Sequence, residues 1–424
     1  MRVVLATIGS LGDLHPFIAI GRVLRAAGQA VVLAVPEDHV TKVRAAGLEA
    51  AAILPSYAAI CERLGMREEE VAARVLADSG FVLDEILLPS LPASTAALDA
   101  VADGADVLVG SIFALAAEIV AEKRGLPLAT IVLQPMTLFS AWQPPAAPRF
   151  EAMRHSPRTM LGRSWNRALY AVVRTILRRR HARHIDAVRA QHRLAPRRGA
   201  PLLDHGCATR AVLCCWSSAL GGLPPDAPQD ARLVGFPFFD SESGADAPLA
   251  PELDAFLRAG PPPLVFTLGS FAVASAGHFY DEAAAAARRL GMRAVLLTGR
   301  PGPPKAEGDC LYLHYAPHSA VFPRAAAVIH HGGVGTTGQA LRAGRPQIVV
   351  PHFGDQFDNA VRLERAGIGQ TIRRERFESR VVAEAIARLL SKQAVRAAAS
   401  RAAAHIAAED GAVAAAGHIQ ALCA

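Results

Sequence analysis

The hydrophobic positions of this chain change period repeatedly along its length. Val3–Ala6 is a solid apolar run, Pro16–Ala27 carries apolar residues at helical spacing, and Ala30–Val35 is apolar again. Val107–Gly110 and Ala129–Leu133 are further runs of the first kind. Short apolar runs alternating with helical spacing predict βαβ units around a parallel sheet. The same grammar returns in Leu264–Leu268, Ala294–Thr298, Ala326–Ile329 and Gln347–Val350, each beside a helical stretch. From about Phe377 the chain is alanine-rich at helical spacing, which predicts closing helices.

Two turns echo each other. Residues 7–10 read TIGS after an apolar strand, and residues 267–270 read TLGS after another. With 424 residues, too many for one ordinary core, the echo points to two Rossmann-like domains of about 200 residues each. A Pro- and Gly-rich passage at 221–253 reads as the linker region. The expected boundaries are 1–228, 229–395, and 396–424 as helices packing back towards the first domain. Two α/β sheets facing each other would leave a cleft at the C-terminal ends of their strands, where such folds bind ligands.

Composition narrows the class. Half the residues are apolar and a fifth are charged, as in globular proteins, and no apolar run approaches the roughly 20 residues that span a bilayer. The N-terminal apolar run is shorter than a signal-peptide core and ends in Gly-Ser and Gly-Asp, so it reads as a first strand. Six cysteines lie scattered without a Cys-x-x-Cys pair, which points to reduced thiols in a cytoplasm. The net charge of +7 is modest and gives no reason to expect nucleic acid. It is uneven, however: between Arg149 and Arg198 arginines far outnumber the two acids, Glu151 and Asp186. That basic 149–198 region is either a solvated helix face or a surface attracted to anionic lipid or an acidic acceptor, which would place the protein at the inner membrane face.

The densest chemistry lies at 330–339, HHGGVGTTGQ. Glycines 332, 333 and 335 let backbone approach a ligand, and the threonines stand near a helix start. Backbone amides and the helix dipole make such a turn an anion site. The order fits neither a P-loop nor the usual dinucleotide fingerprint. A turn that merely lets helix pack on strand is the alternative.

The wider region resembles the donor-binding signature of GT-B glycosyltransferases that use UDP- or dTDP-sugars. Three elements occur in family order: Tyr315-Ala316-Pro317-His318, then His331-Gly332-Gly333-Val334-Gly335-Thr336, then Pro351-His352-Phe353-Gly354-Asp355-Gln356. The resemblance implies an α/β fold of two facing Rossmann-like domains with an interdomain cleft, the acceptor bound by the first domain and the donor by the second. It implies that Tyr315 stacks on the base, where a tryptophan is common. His331, Gly333, Gly335 and Thr336 would hold the diphosphate, Asp355 and Gln356 the sugar hydroxyls, and Ser270 the phosphates from the opposite side. Gln339 replaces the glutamate that many UDP-sugar users direct at both ribose hydroxyls. An amide oxygen accepts more weakly than a carboxylate, and a deoxyribose offers no diol, so Gln339 tilts the expectation towards dTDP-sugars.

In the first half, GSLGDLHPF (9–17) matches the family's catalytic stretch. Many relatives place a histidine base three residues before the proline; here Asp13 stands there, as in bacterial relatives that use an aspartate. His15 is the rival base, and an N-cap ahead of Pro16 is the structural alternative for Asp13. No Asp-x-Asp occurs in the sequence, so no motif-held metal is expected, and no cofactor beyond the nucleotide-sugar co-substrate.

LVFTLGS, LVGFPFFD and DQFDNAVRLERAG are most similar to bacterial rhamnosyltransferases of rhamnolipid assembly, with natural-product glycosyltransferases as near neighbours. The implied activity is inverting, metal-independent transfer of a hexose to a hydroxyl of a small hydrophobic acceptor. A sugar-nucleotide epimerase or a non-catalytic sugar-nucleotide-binding partner protein would share the fold. A dehydrogenase is disfavoured, because GSLGDLHP lacks the third fingerprint glycine.

Overall fold

The computed structural model describes residues 1–424 except 79, 147–154, 242, 246–248 and 424, and gives the backbone alone at 270, 271 and 274. The chain divides into two compact units. The first comprises Met1–Ser218, Gly222–Phe239 and Asp410–Ala424; the second comprises Ala219–Gly221 and Asp240–Glu409.

The first unit is built on seven strands: β1 (Arg2–Ala6), β2 (Ala30–Pro36), β3 (Glu49–Leu54), β4 (Val107–Ser111), β5 (Leu128–Val132), β6 (Thr209–Cys214) and β7 (Ala231–Leu233). Their order is β3-β2-β1-β4-β5-β6-β7, and each neighbouring pair is parallel. Val3, Val4 and Leu5 on β1 and Val107, Leu108 and Val109 on β4 are fully buried. This explains why those strands read as solid apolar runs: crossover helices cover both faces of a parallel sheet.

The second unit repeats the plan with β8 (Leu264–Thr267), β9 (Ala294–Leu297), β10 (Lys305–Glu307), β11 (Cys310–Leu313), β12 (Ala327–His330), β13 (Gln347–Val349) and β14 (Gly369–Thr371). The order is β10-β11-β9-β8-β12-β13-β14, parallel except for the edge pair β10/β11. The exposed Lys-Ala-Glu of β10 gives that edge the charge that discourages further strand pairing.

Both sheets grow outward in one direction from their first strand and then reverse. The reversal falls between β1 and β4 in one sheet and between β8 and β12 in the other. Beyond the C-terminal ends of strands at such a switch point, the flanking loops diverge and leave a crevice. The loops after β1, β8 and β12 are therefore where side chains can reach a ligand.

The first helix, Leu11–Ala26, starts five residues before Pro16, so the proline lies inside it and the Gly12 carbonyl lacks its helical donor. The last helix, Gly411–Gln420, packs on Leu11–Ala26. It comes so close to the chain at Gly235 that a Cβ at Gly411 would fall 2.5 Å from the Gly235 carbonyl oxygen. A 32-residue helix, Met160–Gln191, carries most of the basic stretch. Among the described residues, no helix is long and apolar enough to cross a membrane.

Candidate active site

In the first unit the site is made by the turn after β1. Ser10, not Asp13, caps the first helix: its Oγ accepts from the Gly12 amide at 3.3 Å. Asp13 is the third helical residue and completes a capping box, its Oδ2 accepting from the Ser10 amide at 2.9 Å and the Ser10 hydroxyl at 3.3 Å. The N-cap reading of Asp13 is thus corrected: the helix begins at Leu11, five residues ahead of Pro16, with Ser10 as its cap. The carboxylate presses so closely on Gly9 that a Cβ there would sit 2.3 Å from Oδ2, and Gly9 has φ +140. Only glycine fits both conditions.

Gln134, just after β5, also hydrogen-bonds Asp13. Burial dominates over these bonds and raises the carboxyl from 3.8 to about 6, while Ser10 and Gln134 pull it the other way. At neutral pH the group is ionised and is a stronger base than an ordinary aspartate. His15 lies two positions on, roughly 200° around the helix. Its ring packs edge-on against Phe239 with centroids 5.3 Å apart, and the Arg22 guanidinium lies over the same Phe239 ring. Asp13 and His15 therefore serve different sides of the helix.

In the second unit the site forms where β12 ends. His330 is fully buried; its Nε2 lies 2.8 Å from Gln347 Oε1 on β13, and its Nδ1 accepts from the Gly332 amide at 3.0 Å. Those contacts fix the tautomer with the proton on Nε2, and burial lowers the pKa to about 4, so the ring stays neutral. Gly332 has φ +94, and a Cβ there would meet Val349 at 2.6 Å.

This clamped turn presents His331. Its imidazole fills space left by two glycines: a Cβ at Gly269, after β8, would lie 2.5 Å from Cε1, and one at Gly333 would lie 2.4 Å from Nε2. The ring thus sits at the switch point between β8 and β12. Burial, then the neighbouring His330, His352 and His318, hold its pKa well below the usual histidine value. Its Nδ1 is buried without a hydrogen-bond partner among the described residues. The helix Val334–Arg342 starts at Gly333 with no side-chain cap, Gly335 is exposed with open space around it, and Thr336 is buried. A neutral donor beside uncapped helix amides is suited to an anion. Further along, Gln339 is buried, and its Oε1 has no hydrogen-bond partner among the described residues.

The remaining candidates are arranged around this turn by hydrogen bonds absent from the sequence reading. Gln356 is buried and its Oε1 accepts from the amides of His352 (2.7 Å) and Phe353 (3.2 Å), which fixes the orientation of its side-chain amide. Asp355 Oδ2 accepts from Asn359 Nδ2 at 2.8 Å, and the same nitrogen donates to the Gly332 carbonyl at 2.9 Å. Tyr315 donates its hydroxyl to Asp240 Oδ1 at 2.8 Å, and Asp240 Oδ2 accepts from the Ser319 amide at 2.6 Å. This holds the ring by its polar end. The side chain of Ser270 lies outside the described residues.

Asn359, Asp240, His330 and Gln347 were not singled out from sequence. A polar residue at the head of an apolar run, as in QIVV, is the signal that would have pointed to Gln347. Asn359 ties the His331 turn to Asp355, and it is fully buried. Asn359→Ala should cost about 1–3 kcal/mol by leaving the Gly332 carbonyl unpaired. Asn359→Asp should cost more, because it sets a second carboxylate against Asp355. Urea unfolding of the three proteins checks the order; an Asp variant as stable as wild type would contradict it.

Residues 308–422 match the family model described as erythromycin biosynthesis protein CIII-like, C-terminal domain. The O-mycaminosyltylonolide 6-deoxyallosyltransferase of Streptomyces fradiae is 32% identical to this chain, across 87% of it and 84% of the relative. The vancomycin aglycone glucosyltransferase of Amycolatopsis orientalis is 30% identical, across 87% and 85%. The chain belongs to the glycosyltransferases. Among solved structures, the spinosyn rhamnosyltransferase SpnG complexed with thymidine diphosphate matches with a TM-score of 0.64 at 21% identity, covering 99% of this chain and 100% of that one. The fold is GT-B, and this glycosyltransferase is a hexosyltransferase that moves a sugar from a nucleotide donor to a small acceptor.

Proposed function

We propose that this glycosyltransferase uses dTDP-sugars, bound by the second unit, and inverts the anomeric centre during transfer to a hydroxyl of a hydrophobic acceptor, with Asp13 as base. One observation carries the reading: a buried neutral histidine, His331, lies beside an uncapped helix start at the switch point of the second sheet. Such a site favours a diphosphate through hydrogen bonds and the helix dipole, without a bound cation. Tyr315 offers the base a π face. The unpartnered Gln339 oxygen suits a single sugar hydroxyl of the nucleoside. Asp355 and the Gln356 amide serve the transferred sugar.

The chemistry follows from those roles. The acceptor oxygen attacks the anomeric carbon from the side opposite the diphosphate. Its proton passes to the Asp13 carboxylate as the new C–O bond forms, and the bond from the anomeric carbon to the phosphate oxygen breaks. The charge on the departing nucleoside diphosphate is met by the amides of Gly335 and Thr336 and by His331. The inferred setting is the cytoplasm, and a hydroxy-fatty acid, glycolipid or natural product is the inferred kind of acceptor.

A donor screen tests this reading. With a promiscuous phenolic or hydroxy-fatty acceptor, dTDP-sugars should be consumed at least as well as UDP-sugars, in the presence of EDTA, and NMR should show an inverted anomeric centre. A retained configuration, an absolute Mg²⁺ or Mn²⁺ requirement, or a clear UDP preference would each overturn the corresponding part. An epimerised donor with no glycosylated acceptor would overturn all of it.

A further inference from the structure

Seven large apolar side chains are exposed among the described residues, and five of them stand on one helix, Met160–Gln191: Met160 (76%), Leu161 (85%), Trp165 (54%), Val172 (55%) and Ile176 (58%). A sixth, Trp142, lies beneath the Arg163 guanidinium of the same helix at 4.1 Å. At 100° per residue, Leu161, Trp165, Val172 and Ile176 fall within a sector of roughly 60°. The exposed Arg179 and Arg183 continue that sector towards the C-terminus. The helix carries eight arginines and one acid, Asp186, whose carboxylate accepts from the Arg197 amide.

A narrow apolar stripe that runs into arginines at one end is the pattern of a helix lying in a lipid headgroup region. Tryptophans with both a buried and a wet edge favour that boundary. A second copy of the chain is a poor occupant: a parallel two-fold contact on this face would set Arg179 and Arg183 against their own copies, and an antiparallel one would lay them unpaired on the apolar end of the stripe. We propose that this helix face docks the enzyme on an anionic lipid surface. Leu161, Trp165, Val172 and Ile176 enter the boundary between headgroups and acyl chains, while Arg179 and Arg183 meet lipid phosphates.

Flotation of the full chain with vesicles tests the proposal. Binding to phosphatidylcholine vesicles containing phosphatidylglycerol should be clear at low salt, should weaken as salt rises, and should be absent with phosphatidylcholine alone. Arg179→Gln with Arg183→Gln should lower the partition constant roughly 20–30-fold, about fivefold per arginine. Val172→Asp with Ile176→Asp should abolish binding without lowering the melting temperature, whereas Val413→Asp, at an exposed apolar position on another helix, should change nothing. In a Trp142→Phe background, brominated acyl chains should quench the Trp165 share of the emission and leave that of the fully buried Trp216. Failure to float with anionic vesicles, equal binding to neutral ones, or retention of binding by the double aspartate variant would overturn the proposal. A dimer in sedimentation velocity that Ile176→Asp dissociates would assign the face to a second copy instead.

Discussion

Asp13→Asn should lower kcat by about 10²–10⁴ while donor affinity stays within about twofold of wild type. Asparagine preserves the local fold, since its Oδ1 can still accept from the Ser10 amide and hydroxyl that bond Asp13 now. What it lacks is a site for the acceptor's proton. Stability separates this result from misfolding. The native carboxyl titrates at about 6 against 3.8 for the ordinary group, so burying its charge costs nothing below pH 3.8 and the full penalty above pH 6. The uncharged variant should therefore melt at or above the wild-type temperature at neutral pH while being nearly inactive. That is the pattern of a residue kept for chemistry at the expense of stability. His15→Ala should do less, losing chiefly the edge contact with Phe239. Near-full turnover by Asp13→Asn, with abolition by His15→Ala, would transfer the role of base to His15.

His331→Ala should weaken dTDP binding by roughly 10- to 150-fold, the range expected for a lost hydrogen bond to a charged group. The fold should survive, because the turn is held from elsewhere: His330 accepts from the Gly332 amide and Asn359 donates to the Gly332 carbonyl. Gly333→Ala should produce a similar loss by displacing the imidazole, since its Cβ would lie 2.4 Å from Nε2. Calorimetric titration with dTDP reads both. Unchanged affinity in folded His331→Ala protein would remove this turn from the donor site.

The parts of the molecule legible in the sequence are those whose surroundings are uniform. β1, β2, β4, β8 and β12 are covered on both faces, so their central residues are apolar and the run announces itself. β3 is half alanine with Glu49 exposed, and β10 and β14 are three residues long. Their existence is decided by the neighbouring strand rather than by their own composition. The first helix shows the same limit: Pro16 reads as a start, yet the Ser10 and Asp13 pair nucleates the helix at Leu11 and the proline is carried inside. At the candidate site, the residues proposed to meet a ligand were legible through the family resemblance carried by three motifs in order. The residues that aim them were not, because Asn359, Asp240 and Gln347 act through hydrogen bonds to partners distant in the chain.

The most direct test of the account is the pH dependence of kcat/KM for the acceptor, measured for wild type, Asp13→Asn and His15→Ala. This parameter reports the titration of the essential base in the free enzyme. The account predicts a wild-type profile that rises from acid pH and levels near pH 6, where the Asp13 carboxyl titrates. It predicts the same limb in His15→Ala and a low, flat profile in Asp13→Asn. An acid limb that persists in Asp13→Asn and vanishes in His15→Ala would contradict it.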